Sequence, residues 1–192
     1  MNADLHSLHP LPERRNDARI YLRPPAPDDA ATLIALNRQS IEHYQPWVNP
    51  PLDEAQFAGY LERSARADTA ALLICRNPDN ALLGVINLSQ IFYGPLQSAY
   101  MGYYIGLPYA GQGYASAGIA AALDYAFGPL KLHRVEANIQ PENRASIKLV
   151  ARLGFTREGF SRRYLFIGGE WRDHERYAML SEDWAEISRA TT

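Results

Sequence analysis

With 192 residues and a formal charge of −2, set by 19 Lys and Arg against 21 Asp and Glu, the chain can bury one substantial core and carries no basic excess that would draw it to nucleic acid. No apolar run approaches the ~20 residues of a membrane span, the N-terminus has no secretory pattern, and the lone Cys75 excludes an intrachain disulfide. A cytoplasmic protein is the default expectation.

In chain order, residues 1–17 are rich in Pro, His and charge and read as a flexible leader, with a single folded domain expected over 18–192. Residues 18–23 alternate as a strand, and Asp28 is the expected cap of a helix carrying Leu33, Ile34 and Leu36. Asp53 is the expected cap of a second helix through Phe57, Tyr60 and Leu61. Between the two helices, the loop over 41–51 sets Tyr44 and Trp47 among prolines, where they either cover the core edge or form a substrate wall. Residues 69–76 and 81–91 read as a hairpin around Asn77-Pro78-Asp79-Asn80, with Cys75 as an inert core thiol.

A strand over 100–106 then runs through Leu107-Pro108-Tyr109-Ala110-Gly111-Gln112-Gly113-Tyr114-Ala115 into an alanine-rich helix ending near Phe127. The first N–H groups of a helix have no intrahelical partners and sit at the positive end of its dipole, and the glycines let the backbone approach a ligand, so this turn suits an anion such as phosphate. A strand over 134–139, a helix over 143–153 stopped by Gly154, a hairpin of strands 155–167 and 171–180 around Gly168-Gly169, and a short helix near 183–189 complete the chain. Adjacent strands with helices inserted late point to an α+β fold on a mixed sheet. The histidines have no metal-ligand spacing, and no metal is expected.

Taken together, Gly102-Tyr103-Tyr104-Ile105, Gly111-Gln112-Gly113-Tyr114-Ala115, Asn143-Arg144-Ala145-Ser146, Leu153-Gly154-Phe155 and Trp171-Arg172-Asp173-His174 resemble the GNAT acyltransferases, most closely the RimJ type of ribosomal-protein-alanine N-acetyltransferase. The resemblance implies the GNAT fold, a mostly antiparallel sheet splayed between its fourth and fifth strands, with acetyl-coenzyme A as co-substrate. The family's pyrophosphate pattern, Gln/Arg-x-x-Gly-x-Gly/Ala, falls on Ala110 to Ala115; Gly113 and Ala115 match, and Ala110 replaces the polar anchor. Backbone groups of Tyr103, Tyr104, Ile105 and Leu107 would pair with the pantetheine arm, and Gly111, Gln112, Gly113 and Tyr114 would surround the pyrophosphate. Asn143 would either hydrogen-bond the cofactor or cap its own helix.

For chemistry, the resemblance implies that the Ile105 N–H polarises the thioester carbonyl. The family's thiolate acid, a Tyr, is replaced by Val150, which makes Ser146 the candidate proton donor. Glutamates common in relatives are Tyr100 and Ala117 here, leaving Glu136 as a candidate base, with a salt bridge to Arg134 as its alternative. Tyr44, Trp47, Tyr164 and Asp173 are the expected acceptor-side residues. Missing carboxylates favour an α-amine acceptor: its pKa of about 7.7–8.0 lies ~2.5 units, or ~3.5 kcal/mol at neutral pH, below that of a lysine. The implied activity is acetyl transfer to a protein N-terminus such as that of a ribosomal protein. A small amine (amino acid, polyamine or antibiotic) is the alternative acceptor, and a non-catalytic acyl-coenzyme A sensor the alternative class.

Overall fold

The run Ala70-Ala71-Leu72-Leu73-Ile74-Cys75 is apolar without alternation because both of its faces are covered. Ala70, Leu72 and Ile74 join one core cluster, and Ala71, Leu73 and Cys75 join another on the opposite side. The computed structural model describes residues 19–190 except Pro78, so the expected leader lies outside the described residues. Seven strands form one sheet: β1 (Ile20–Arg23), β2 (Ala70–Arg76), β3 (Leu82–Phe92), β4 (Ser98–Ile105), β5 (Arg134–Ile139), β6 (Thr156–Ile167) and β7 (Glu170–Leu180). Their order is β1-β2-β3-β4-β5-β7-β6, and β4 with β5 is the parallel pair.

Helices α1 (Ala30–Gln39), α2 (Ile41–Tyr44) and α3 (Glu54–Ser64) precede β2, and α1 and α3 cover one face through Leu33, Ile34, Leu36, Phe57 and Tyr60. Asp53 caps α3 as expected, accepting from Gln56 N–H at 2.8 Å. The expected cap Asp28 does not hold its helix. Asp29 is the engaged carboxylate, accepting from both Arg23 guanidinium nitrogens (2.5 and 2.7 Å) and from Ala26 N–H (2.7 Å), which fixes the 3₁₀ turn Pro27–Asp29 ahead of α1.

The other face carries α4 (Tyr114–Phe127), α5 (Arg144–Arg152) and α6 (Ser181–Ala190). Gly118 lets α4 lie close to the sheet, since a Cβ there would meet Ile74 Cδ1 at 2.8 Å and Ile86 Cδ1 at 3.1 Å. Fully buried Ile119, Leu123 and Tyr125 complete this core with Val135 and Met179, each large apolar side chain contributing roughly 1.5–3 kcal/mol. Asn143 Oδ1 caps α5 by accepting from Ser146 N–H at 3.1 Å, and Gly154, at φ +92°, ends it.

The parallel ladder between β4 and β5 is short. It joins Ser98, Ala99 and Tyr100 to Arg134, Val135 and Glu136 and stops, whereas β4 stays paired with β3 to Ile105 and β5 with β7 to Ile139. The sheet therefore opens between β4 and β5.

Candidate active site

The opening forms a cleft of about 890 Å³ running from the α4–α5 face through the sheet to the face of α1 and α2. Along a strand, consecutive residues direct their N–H and C=O groups to opposite neighbours. Gly106 N–H bonds Leu83 O across to β3 at 2.8 Å, while Gln97 O accepts from Arg134 N–H on the β5 side. Odd-numbered positions of β4 thus turn toward β5, and above Tyr100 that leaves the backbone groups of Met101, Tyr103 and Ile105 facing the cleft. This free edge can pair with an extended chain of amides.

On the α4 side, Gly111 and Gly113 adopt φ of +73° and +83°, so the turn presents its amides ahead of the helix. A Cβ on Gly111 would meet nothing within 4 Å. The N–H groups of Tyr114, Ala115 and Ser116 begin the helix there. Arg19 supplies a side chain that the motif lacks: its Nη1 donates to Gln112 O at 3.2 Å and its guanidinium stands 5.6 Å from the Tyr114 ring centroid. Arg76 lies 5.5 Å from the neighbouring Tyr109 ring while paired with Asp79. The turn, its amides and Arg19 fit a diphosphate.

Deeper in the cleft, Ser146 Oγ lies 2.5 Å from the Tyr103 hydroxyl. Burial pushes the Tyr103 phenol up to about 12, partly offset by the Ser146 hydrogen bond, so it stays protonated at neutral pH. Asn143 also lines the cleft; with Oδ1 used in the cap, its amide NH₂ is the group left for a ligand. The capping alternative is thus realised, on the oxygen alone.

The opposite end is aromatic and nearly free of charge. Tyr44, 3% exposed, packs on Tyr104 with centroids 4.8 Å apart, and Trp47 lines the wall beside them. Gln140 Nε2 donates to Pro46 O at 3.4 Å, tying this loop to β5. Tyr164 donates to the Tyr100 hydroxyl at 3.3 Å, and that contact raises its phenol to about 12. The buried Oδ1 of Asn138 has no partner among the described residues. Glu142 is the one carboxylate among the lining residues.

Several expected site residues are placed differently. Tyr104 directs its backbone to β3 rather than to the cleft, and its ring to the aromatic end beside Tyr44. Leu107 has its N–H taken by Ser40 Oγ at 2.9 Å and its carbonyl by Ala110 N–H. Gln112 folds back, donating from Nε2 to Pro108 O at 2.9 Å. Glu136 accepts from Arg134 Nε at 2.8 Å, the salt bridge weighed against base duty, and it does not line the cleft. Asp173 accepts from the N–H of Arg163, a left-handed residue in the β6 bulge, at 2.7 Å, and its neighbour His174 takes the cleft position instead. Ser146, Tyr103, Ile105, Ala110, Gly111, Ala115, Asn143, Tyr44, Trp47 and Tyr164 all line the cleft.

Three residues were not placed by the sequence. Along β7 the exposed Trp171 and Arg176 fall on opposite faces, as do the buried His174 and Tyr177, so alternation does not reveal the direction of His174. Arg19 approaches the turn from 93 residues away in sequence. The Tyr103 side chain was read only through its backbone, although its position two residues before Ile105 puts both on one face. No group of three or more His, Cys, Asp or Glu among the described residues is placed to hold a metal ion.

A splayed mixed sheet with an amide-rich turn at the mouth of the opening defines an acyl-coenzyme A-dependent transferase. A family model described as acetyltransferase (GNAT) domain matches residues 19–156, and the chain belongs to the GNAT N-acetyltransferases, whose acyl donor is acetyl-coenzyme A. Among relatives, a probable N-acetyltransferase, YjcK of Bacillus subtilis, is 31% identical over 85% of this chain and 95% of its own length. A [ribosomal protein uS5]-alanine N-acetyltransferase of Escherichia coli is 39% identical over 56% of each chain. A spermidine N(1)-acetyltransferase of Vibrio cholerae is 32% identical over 79% of this chain and 87% of its own. The structure of Mycobacterium smegmatis RimJ in complex with CoA-disulfide superposes with a TM-score of 0.81 at 29% identity, covering 90% of this chain and 88% of that one.

Proposed function

We propose that the protein moves acetyl from acetyl-coenzyme A to the α-amine of a polypeptide N-terminus, a ribosomal protein being the leading candidate. The observation that carries the choice of acceptor is the acceptor end of the cleft, where tyrosines and Trp47 stand without a cluster of carboxylates. A polyamine brings several positive charges that need acidic partners on desolvation. An α-amine carries at most one charge, and with a pKa of about 7.7–8.0 about half or more of it is neutral at pH 8, so it needs no such cluster. The β6–β7 hairpin that lends Tyr164 and Leu165 to the cleft also exposes Phe166 and Trp171, apolar area suited to the residues that follow a peptide's first.

In this reading, backbone groups of Tyr103 and Ile105 hold the pantetheine amides as an added strand, with Ile105 N–H directed at the thioester carbonyl. The amides of Gly111 to Ala115 hold the pyrophosphate, and Arg19 takes over the side-chain anchor that Ala110 cannot supply. Asn143 donates from its amide NH₂. Ser146 Oγ gives its proton to the departing thiolate sulfur and is resupplied through the Tyr103 hydroxyl, held 2.5 Å away.

Mass spectrometry after incubation with acetyl-coenzyme A, peptides beginning with Ala, Ser or Met, and spermidine tests the acceptor. Acetyl on a peptide α-amine is the expected product. Modification of spermidine alone overturns the peptide assignment, and cofactor binding with no product favours an acyl-coenzyme A sensor.

A further inference from the structure

His174 is only 2% exposed, yet it lines the acceptor end of the cleft. Its Nδ1 lies 3.0 Å from the carbonyl oxygen of Arg172. A carbonyl can only accept, so Nδ1 carries the hydrogen, and in the neutral ring Nε2 holds a lone pair. No described residue hydrogen-bonds to Nε2. The Tyr164 ring meets the imidazole edge-on, at 6.0 Å and 64°, which fixes the ring plane. A core histidine ordinarily satisfies both nitrogens, because an unpaired buried polar atom costs free energy. Here one nitrogen anchors the ring and the other is left for whatever enters the cleft.

We propose that His174 is the proton acceptor for the incoming amine, an assignment that rests on the acetyl-transfer reading. The amine nitrogen bonds to the thioester carbonyl carbon and the carbon–sulfur bond breaks. The proton lost by nitrogen passes to Nε2, and the thiolate sulfur takes one from Ser146 Oγ. His174 then releases its proton to water, and a proton from water re-enters through Tyr103, so charge and atoms balance.

The surroundings favour the neutral ring. Burial holds His174 below the ordinary imidazole value of about 6.5, against the opposing pull of the Arg172 carbonyl and the Asp173 charge. The Tyr164 ring packs against it, with its hydroxyl on Tyr100, and Glu136 behind them is paired with Arg134. His43 lines the same cleft, where Glu142 and Arg144 oppose each other in sign, and Arg176 adds a cation on the strand of His174. A folded-state pKa below the free value leaves the lone pair available at pH 7 and above. Activity is lost as pH falls through the folded value.

His174→Asn tests this, because its amide N–H can still reach the Arg172 carbonyl while nothing basic remains at Nε2. The expected result is a fall in kcat of at least ~100-fold with acetyl-coenzyme A affinity unchanged. The acidic limb of kcat, which reports the bound complex rather than the free amine, should vanish, and added imidazole should restore part of the rate. A kcat within threefold of the parent with that limb intact would overturn the assignment, as would a loss of rate that only follows lost cofactor affinity. ¹⁵N-imidazole NMR of the unaltered protein reads His174 without turnover. An Nε2–H tautomer, or titration at or above the ordinary value, also refutes it. A parent enzyme that binds acetyl-coenzyme A and acetylates no amine would instead defeat the acetyl-transfer reading.

Discussion

Replacing Arg19 with alanine should weaken coenzyme A binding by about 5- to 30-fold. The guanidinium is exposed at the mouth of the phosphate turn and has no carboxylate partner among the described residues; its contacts are the Gln112 carbonyl and the Tyr114 ring. Two unit charges 4 Å apart attract by ~1 kcal/mol in bulk water and ~4 kcal/mol at an effective dielectric of 20, and an exposed cation lies near the lower figure. A loss of ~1–2 kcal/mol corresponds to the stated range at 1.4 kcal/mol per tenfold. The helix-start amides remain, so binding weakens without disappearing. Isothermal titration with coenzyme A in low salt and in ~1 M NaCl should show the two proteins converging as the screening length shrinks to ~3 Å. Arg19→Lys should fall between them, since it keeps the charge and loses the planar stack. Dephospho-coenzyme A separates the pyrophosphate from the terminal phosphate. A dissociation constant within twofold of the parent at low salt, or an unchanged salt dependence, would remove Arg19 from the site.

Ser146→Ala should lower kcat by ~10²-fold while leaving acetyl-coenzyme A affinity within a few-fold; stopped-flow and equilibrium binding check the two halves, and an unaltered kcat would eliminate Ser146 as the proton donor. Tyr103→Phe should show a smaller loss in the same direction, because Ser146 keeps its hydroxyl. Gly118→Val should overpack α4 against Ile74 and Ile86 at ~1–3 kcal/mol, lowering Tm by roughly 2–4 °C per kcal/mol for a domain this size; an unchanged Tm by calorimetry would mean that the helix moves freely. Burial raises the Asp29 carboxyl, but the Arg23 hydrogen bond, the Ala26 N–H and the Arg23 charge outweigh it, for a net fall. Its stabilisation is therefore present above the unfolded value of ~3.9 and lost as pH falls through the folded one. Asp29→Asn should destabilise by ~1–3 kcal/mol at pH 7 and by little near pH 2. Urea unfolding at both pH values tests the difference.

The fold was legible where the sequence carries a local signal. Asp53 capped its helix, Gly154 ended another, and the glycine-spaced turn led into α4, because each depends on residues within a few positions. Asp28 failed against its neighbour because Arg23, on a strand, selected Asp29, a choice made by tertiary contact. The glycine turn at the mouth of the cleft was legible for the same local reason, although only strand pairing shows that Tyr104 and Ile105 turn their backbones opposite ways. The acceptor end was largely hidden. In β7 exposed and buried residues fall on both faces, so alternation does not tell His174 from Asp173; Asp173 is held by the Arg163 N–H at the β6 bulge, while His174 lines the cleft.

The seam of Ser98, Ala99 and Tyr100 against Arg134, Val135 and Glu136 has a mechanical meaning. It joins a four-stranded half and a three-stranded half that diverge above it. In the proposed donor mode, an extended ligand hydrogen-bonded along β4 would act as a further rung of the ladder, adding to the Tyr103–Ser146 and Gln140–Pro46 contacts that cross the opening. Part of the donor's binding energy would then go into stiffness, and the geometry offered to an acceptor would harden once the donor is seated.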